Sequence, residues 1–223
     1  MNILLVVLKT ALITLLLAFA LNSCVSLFLP KSAKERLSVN KKITNEEVIF
    51  LNLKPYDTLT DIGAQSGFIN AHYSIIIDNL YFNLLDTDEK ALNKKNVNNN
   101  FKSIHKIYKN HNYYNYNITI NTTEKLPLSN NSCSKVLCRK TIHEFTNQDE
   151  MIAEIRRILK PDGELFIIET VPTKPNQIDS ICKFKLLSAD SIVTLFSNHI
   201  FELKKKKVSE KNAFNFLCFK KQG

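Results

Sequence analysis

From about residue 40 to the end, strand-like segments alternate with helix-like segments, and that alternation limits the folds open to this chain more than any other feature. Strands separated by helices pair most readily in parallel, so the pattern argues for an α/β domain with a mainly parallel sheet. The expected strands are Thr58–Ile62, Tyr81–Leu85, Asn117–Asn121, Lys135–Cys138 and Glu164–Ile168, closed by a hairpin of Phe201–Val208 and Phe214–Phe219. Helices are expected to start at Thr44 and Asp88, to run through Phe68–Ile76, and to run from Ser188 through Phe196. The clearest helix is Asn147–Lys160, where Met151, Ile152, Ile155, Ile158 and Leu159 fall on one face. The Asn- and Lys-rich stretch Asn93–Asn112 reads as a loop or a ragged helix end.

The first 30 residues form a separate segment. Lys9 is the only charged side chain in it, and Thr10–Leu21 is an apolar run ending in Leu21-Asn22-Ser23-Cys24. That run and its terminal cysteine resemble a bacterial lipoprotein signal, in which Cys24 would be lipidated. An uncleaved membrane anchor and a buried N-terminal helix stay open, because apolar residues continue beyond Cys24. The first two readings place the protein at a membrane. The expected organisation is a signal or anchor over 1–30, a polar linker over 31–43 and a globular domain over 44–223.

With 223 residues and 44% hydrophobic composition, the chain can build one full core. Its formal net charge is +9. Lysine and asparagine are both abundant, so the charge reads as compositional bias, and no nucleic-acid partner is expected. Lys204–Lys207 reads as a solvated strand edge. The five cysteines include no CxxC pair and no clustering with histidine, so no metal site is expected.

Two places carry chemistry. Asp61-Ile62-Gly63-Ala64-Gln65-Ser66-Gly67 lies directly between a strand and a helix, where glycines let a ligand approach the backbone. Asp86 ends the next strand, 25 positions on, where a carboxylate can accept hydrogen bonds from ribose hydroxyls. Together they point to a nucleoside-containing cofactor. Plain turn glycines and a helix-capping acid are the structural alternative.

The stretch from Leu126-Pro127 through Val136-Leu137-Cys138-Arg139 and His143-Glu144 to Leu159-Lys160-Pro161-Asp162-Gly163-Glu164-Leu165 resembles the second half of class I S-adenosylmethionine (SAM)-dependent methyltransferase domains, notably the type 11 group. The turn from Asp61 to Gly67 resembles their first motif, and Asp86 their ribose-binding acid. The resemblance implies a Rossmann-like three-layer sandwich whose seven-stranded sheet is mostly parallel, with the last strand antiparallel. It implies SAM as cofactor, a small-molecule methyl acceptor, and Asp61, Gly63, Ala64, Gly67, Asp86, Thr122 and Arg139 around the cofactor. Thr122 stands where the family often has an acid, and Gln65 stands at the middle glycine. These departures keep a non-catalytic binding protein of the same fold as an alternative. An NAD-dependent oxidoreductase also uses a glycine turn and a ribose acid, but the segment from Leu126 to Gly163 matches the methyltransferase pattern instead.

Methyl transfer is an in-line displacement that depends on placing the acceptor against the methyl carbon. His143 follows the fourth strand and is the expected general base, with simple packing under the loop as the alternative.

Overall fold

A computed structural model describes residues 33–209 and 214–222, with side chains from residue 42 onward. The chain divides into two units, Met1–Lys42 and Ile43–Gly223. All that follows concerns the second, apart from the first turns of one helix. The expected signal or anchor over 1–30 lies outside the described residues. Among the described residues no helix is long and apolar enough to cross a membrane.

The elements are α1 (Ala33–Phe50), β1 (Thr58–Ile62), α2 (Phe68–Ser74), β2 (Leu80–Asp86), α3 (Lys94–Tyr108), β3 (Tyr114–Ile120), β4 (Cys133–Arg139), a 3-10 turn (Ile142–Glu144), α4 (Gln148–Ile158), β5 (Leu159–Thr170), α5 (Ala189–Asn198), β6 (Phe201–Val208) and β7 (Phe214–Lys221). One seven-stranded sheet has the order β3-β2-β1-β4-β5-β7-β6. β1 to β5 pair in parallel, while β7 runs antiparallel between β5 and β6. The expected fold class and its antiparallel end are therefore observed. The chain winds outward from β1 to β3, then returns to place β4 beside β1. That reversal opens a crevice at the carboxyl ends of β1 and β4, the position where open α/β sheets bind ligands.

The central strands are covered on both faces, which is why β4 and β5 read as continuous apolar runs. Val136, Leu137 and Cys138 of β4 and Leu165, Ile167 and Ile168 of β5 are fully buried. Met151, Ile152, Ile155 and Ile158 of α4 close over Val136, Cys138, Leu165 and Ile167 on one face of the sheet. The α4 N-cap is Asn147, and it makes no side-chain cap bond. The Lys160–Gly163 segment lies beyond the end of the helix at Ile158. It enters β5 as a bulge, since Cys133 pairs with Leu159 while Lys135 already pairs with Glu164. A Cβ at Gly163 would lie 3.0 Å from the Cys133 carbonyl oxygen.

Three local expectations change. Asp88 closes a turn, accepting from the Lys90 and Ala91 amides at 2.8 and 3.3 Å, and does not begin a helix. The helix starts later, with Asn93 accepting from the Asn96 amide at 2.9 Å. It occupies most of the stretch expected as loop, because Val97, Phe101 and Ile104 recur at helical spacing and are buried. The Phe101 ring packs on Phe82, Tyr114 and Tyr116 with centroids 5.7, 4.7 and 5.0 Å away. Tyr113, by contrast, is exposed. Finally, α1 begins at Ala33, so Thr44 lies inside the helix and most of the expected linker is helical. Ala, Lys, Glu, Arg and Leu in that segment are good helix formers. The lysines of β6 face solvent on a sheet edge, as expected.

Candidate functional site

The turn after β1 follows from its backbone. Gly63, Gln65 and Gly67 all take left-handed conformations, with φ of +82°, +48° and +69°. Gly63 has no room for a side chain, because a Cβ would stand 2.4 Å from the Thr141 hydroxyl oxygen. Gly67 instead serves packing: a Cβ there would press on Leu84 at 3.1 Å. The amides of Gly63 and Ala64 both donate to the Leu85 carbonyl at 2.9 Å. The Gln65 amide donates to Asp86 Oδ2 at 2.7 Å, and the Asp88 amide donates to Oδ1 at 2.9 Å. Asp86 thus ties the glycine turn to β2, and an ionised carboxylate keeps about two further acceptor directions.

Two cavities meet at this turn. The first, about 280 Å³, is lined by Gly63, Gln65, Asp86, Asn121, Thr123, Thr141 and Met151 among others. The second, about 360 Å³, is lined by Asp61, Gly63, Ala64, Gln65, Arg139, His143 and Cys182 among others. Gly63, Gln65, Lys140 and Glu144 border both. Gln65, at the position of doubt in the sequence, is exposed and stands where the cavities adjoin.

Asp61 is buried at the end of β1. Its Oδ2 accepts from Asn70 Nδ2 at 2.9 Å, and its Oδ1 has no partner. Burial raises its pKa from 3.8 to about 7, against the opposing pull of the Asn70 hydrogen bond and the Arg139 charge. Arg139 ends β4 and lines the second cavity. Its Nη2 and Nε lie 2.9 and 3.0 Å from Glu47 Oε1, and its guanidinium stands over the Phe214 ring at 5.6 Å. Glu47 Oε2 accepts from the Tyr73 hydroxyl at 2.6 Å. Sequence reading missed Glu47, which reads as an acid in the first turn of a helix.

Thr122 does not line either cavity. Its hydroxyl accepts from the Glu124 and Lys125 amides at 3.3 and 3.0 Å and closes a turn. Its neighbour Asn121 takes the place instead: it borders the first cavity, and its buried Oδ1 has no partner. Asn121 donates from Nδ2 to the Thr122 carbonyl at 2.7 Å, which fixes the amide.

His143 is buried in the 3-10 turn after β4 and faces the second cavity. Its Nδ1 stands 2.9 Å from Glu169 Oε2, while Glu169 Oε1 accepts from the Ile142 amide at 2.9 Å. Burial alone lowers an imidazole pKa, but the hydrogen bond and charge of Glu169 outweigh it, and the net movement is upward. The other ring nitrogen, Nε2, lies 3.3 Å from Cys182 Sγ. The 39 positions between Cys182 and His143 hide a cluster that the fold assembles, contrary to the expectation from cysteine spacing. Cys133, Cys138 and Cys218 are buried, as expected of structural thiols.

Residues 60–167 match the family described as methyltransferase domain. No curated protein matches the sequence. Among solved structures, a SAM-dependent methyltransferase from Aquifex aeolicus is similar at a TM-score of 0.62 and 16% identity, over 82% of this chain and 97% of that one. The 4+2 cyclase SpnF is similar at a TM-score of 0.62 and 13% identity, over 81% of both chains. The glycopeptide N-methyltransferase MtfA, complexed with sinefungin, is similar at a TM-score of 0.58 and 10% identity, over 82% of this chain and 87% of that one. The fold is thus that of the methyltransferase-type α/β domains. Within it, the family match over residues 60–167 supports the methyltransferase domain family.

Proposed function

We propose that this protein is a SAM-dependent methyltransferase acting on a small-molecule acceptor. The observation that carries the reading is that two cavities adjoin at the turn from Asp61 to Gly67, one bordered by Asp86 and Asn121 and the other by Asp61 and Arg139, with an unpartnered buried oxygen on both Asn121 and Asp61. A buried oxygen without a donor is costly unless a ligand supplies one. Asn121 Oδ1 suits the amino group of an adenine, Asp86 suits ribose hydroxyls, and Asp61 suits the ammonium group at the amino acid end of the cofactor. The residues therefore fit SAM, with its adenosine half in the first cavity and its methionine half in the second.

When bound, the cofactor supplies a methyl group on a positively charged sulfur. The chain's own contribution is to hold both halves and orient the acceptor. Arg139, held by Glu47, fixes the wall of the second cavity. His143, held at Nδ1 by Glu169, borders the second cavity beside that wall. The Gly63, Ala64 and Gln65 amides all point inward to β2, so they are not available to an anion. That disfavours a dinucleotide, whose pyrophosphate needs such donors.

Isothermal titration with SAM tests the reading. Binding is expected, with a rise in melting temperature, and loss of both in Asp86→Ala. No heat and no thermal shift at millimolar SAM overturns it. A binding protein that keeps the fold without the chemistry is the second reading, favoured by Gln65 where the resemblance implies glycine; it predicts binding without turnover on any acceptor. Membrane attachment through residues 1–30, by lipidation of Cys24 or by an uncleaved anchor, is part of the proposal. A fatty-acid analogue that labels Cys24 supports lipidation, and a full-length unlabelled protein excludes it.

A further inference from the structure

The loop Ile178–Lys185 is pinned as a small hairpin, by a bridge between its ends and by the Asp179 amide donating to the Phe184 carbonyl at 2.8 Å. It carries Asp179 and Cys182 to the mouth of the second cavity, beside His143. One donor atom from each of His143, Asp179 and Cys182 lies within 4.8 Å of the others. We propose that His143 Nε2, Cys182 Sγ and a carboxylate oxygen of Asp179 bind a divalent cation of the zinc class, with the fourth position open to the cavity.

Four features support the site. First, the donor set is one nitrogen, one sulfur and one oxygen, which suits a borderline cation such as Zn²⁺ better than Mg²⁺ or Ca²⁺. Second, the spacing fits. Zn–N and Zn–S bonds of about 2.0 and 2.3 Å in a tetrahedron put nitrogen and sulfur about 3.6 Å apart, and His143 Nε2 and Cys182 Sγ are 3.3 Å apart. Third, Glu169 holds His143 from behind. A carboxylate on Nδ1 fixes the proton there and turns the Nε2 lone pair toward the cavity, which is how metal-binding imidazoles are commonly oriented. Fourth, the Asp179 loop is already organised. Its Oδ1 accepts from the Ile181 and Cys182 amides at 2.7 and 3.2 Å, which sets the carboxylate beside the thiol.

The surrounding charge is mixed but leaves room for a cation. Glu144 lies 3.8 Å from His143 Nε2 and borders the cavity. Lys140 and Arg139 border it too, and Arg139 is already paired with Glu47. Three protein ligands with an open fourth position is the arrangement of catalytic zinc sites, in contrast to the closed sets of structural ones. The site stands on its own residues and does not depend on SAM binding.

Co²⁺ and Zn²⁺ added to the chelator-treated full chain test the proposal without any activity assay. Co²⁺ is expected to give tetrahedral d–d absorption together with a thiolate-to-metal charge-transfer band. Zn²⁺ is expected to displace it and to protect Cys182 from iodoacetamide, read by peptide mapping. Cys182→Ser should abolish the charge-transfer band. Asp179→Asn and Glu169→Gln should each weaken Zn²⁺ binding, the latter by about 10- to 100-fold, the range for lost partners of ligand histidines. Far-UV circular dichroism checks that each variant is folded. The proposal is overturned by a missing charge-transfer band in the wild type, by equal Cys182 alkylation with and without Zn²⁺, or by unchanged binding in folded Cys182→Ser.

Discussion

Arg139 and Glu47 are 92 positions apart in the chain and form a bifurcated ion pair, with both guanidinium contacts falling on one carboxylate oxygen. The second Glu47 oxygen takes the Tyr73 hydroxyl, and the whole side chain is buried. The pair fastens α1 to the end of β4, directly at the second cavity.

Breaking that pair from one side leaves a largely buried charge without its partner. Glu47→Ala is expected to destabilise the fold by about 3–5 kcal/mol, the usual range for removing one partner of a buried pair. Tyr73→Phe, which removes only a hydroxyl, should cost about 1–3 kcal/mol because Glu47 then loses one donor. Urea denaturation measures both. Equal costs for the two variants would show that the Arg139 contact carries nothing.

Asp61 makes stability depend on pH. Its folded pKa, about 7, lies above its ordinary value of 3.8, so the folded chain holds the proton more tightly than the unfolded chain. Its contribution is fully present below about pH 3.8 and is lost as pH rises through about 7. The melting-temperature difference between wild type and Asp61→Asn should shift against the wild type over that window and level off above it. A cationic ligand favours the ionised form, so SAM affinity should rise through the same window, with a proton released on binding. Calorimetry in buffers of different ionisation enthalpy reads that proton.

Gln65 holds a left-handed conformation without being glycine, at a cost of about 1–2 kcal/mol. Gln65→Gly should recover part of this as stability, on the order of 0.5–1 kcal/mol after the added chain entropy. It should also tighten SAM binding, since it clears the junction between the two cavities. A variant that gains stability but not affinity would show that the Gln65 side chain does not obstruct the ligand.

Asp86 has two duties, and the variants separate them. Asp86→Asn keeps one of the two acceptors that the turn uses, so it should loosen the turn less than alanine does while weakening SAM binding at least about tenfold, through loss of charge-assisted hydrogen bonds worth about 1.5–3 kcal/mol. Asp86→Ala removes the acceptors for the Gln65 and Asp88 amides as well, and should also lower thermal stability. Loss of stability without change in affinity would remove Asp86 from the cofactor site.

The sequence by itself determined the elements whose signals are local. The apolar runs of β4 and β5, the helical face from Met151 to Ile158, the glycine turn and the acid at the end of β2 each rest on residues only a few positions apart. Their placement follows from backbone conformation and periodicity. The start of α3 is obscured in the sequence because asparagine capping and an Asn-rich solvent face resemble a loop, while the spacing of Val97, Phe101 and Ile104 carries the helical signal. Which side chains meet depends on the folded topology. Glu47 with Arg139, His143 with Glu169 and Cys182, and Asn121 in the place expected for Thr122 depend on strand order and on which face each loop turns. Burial of those groups follows from packing, and burial is what sets their charge, their partners and their chemistry.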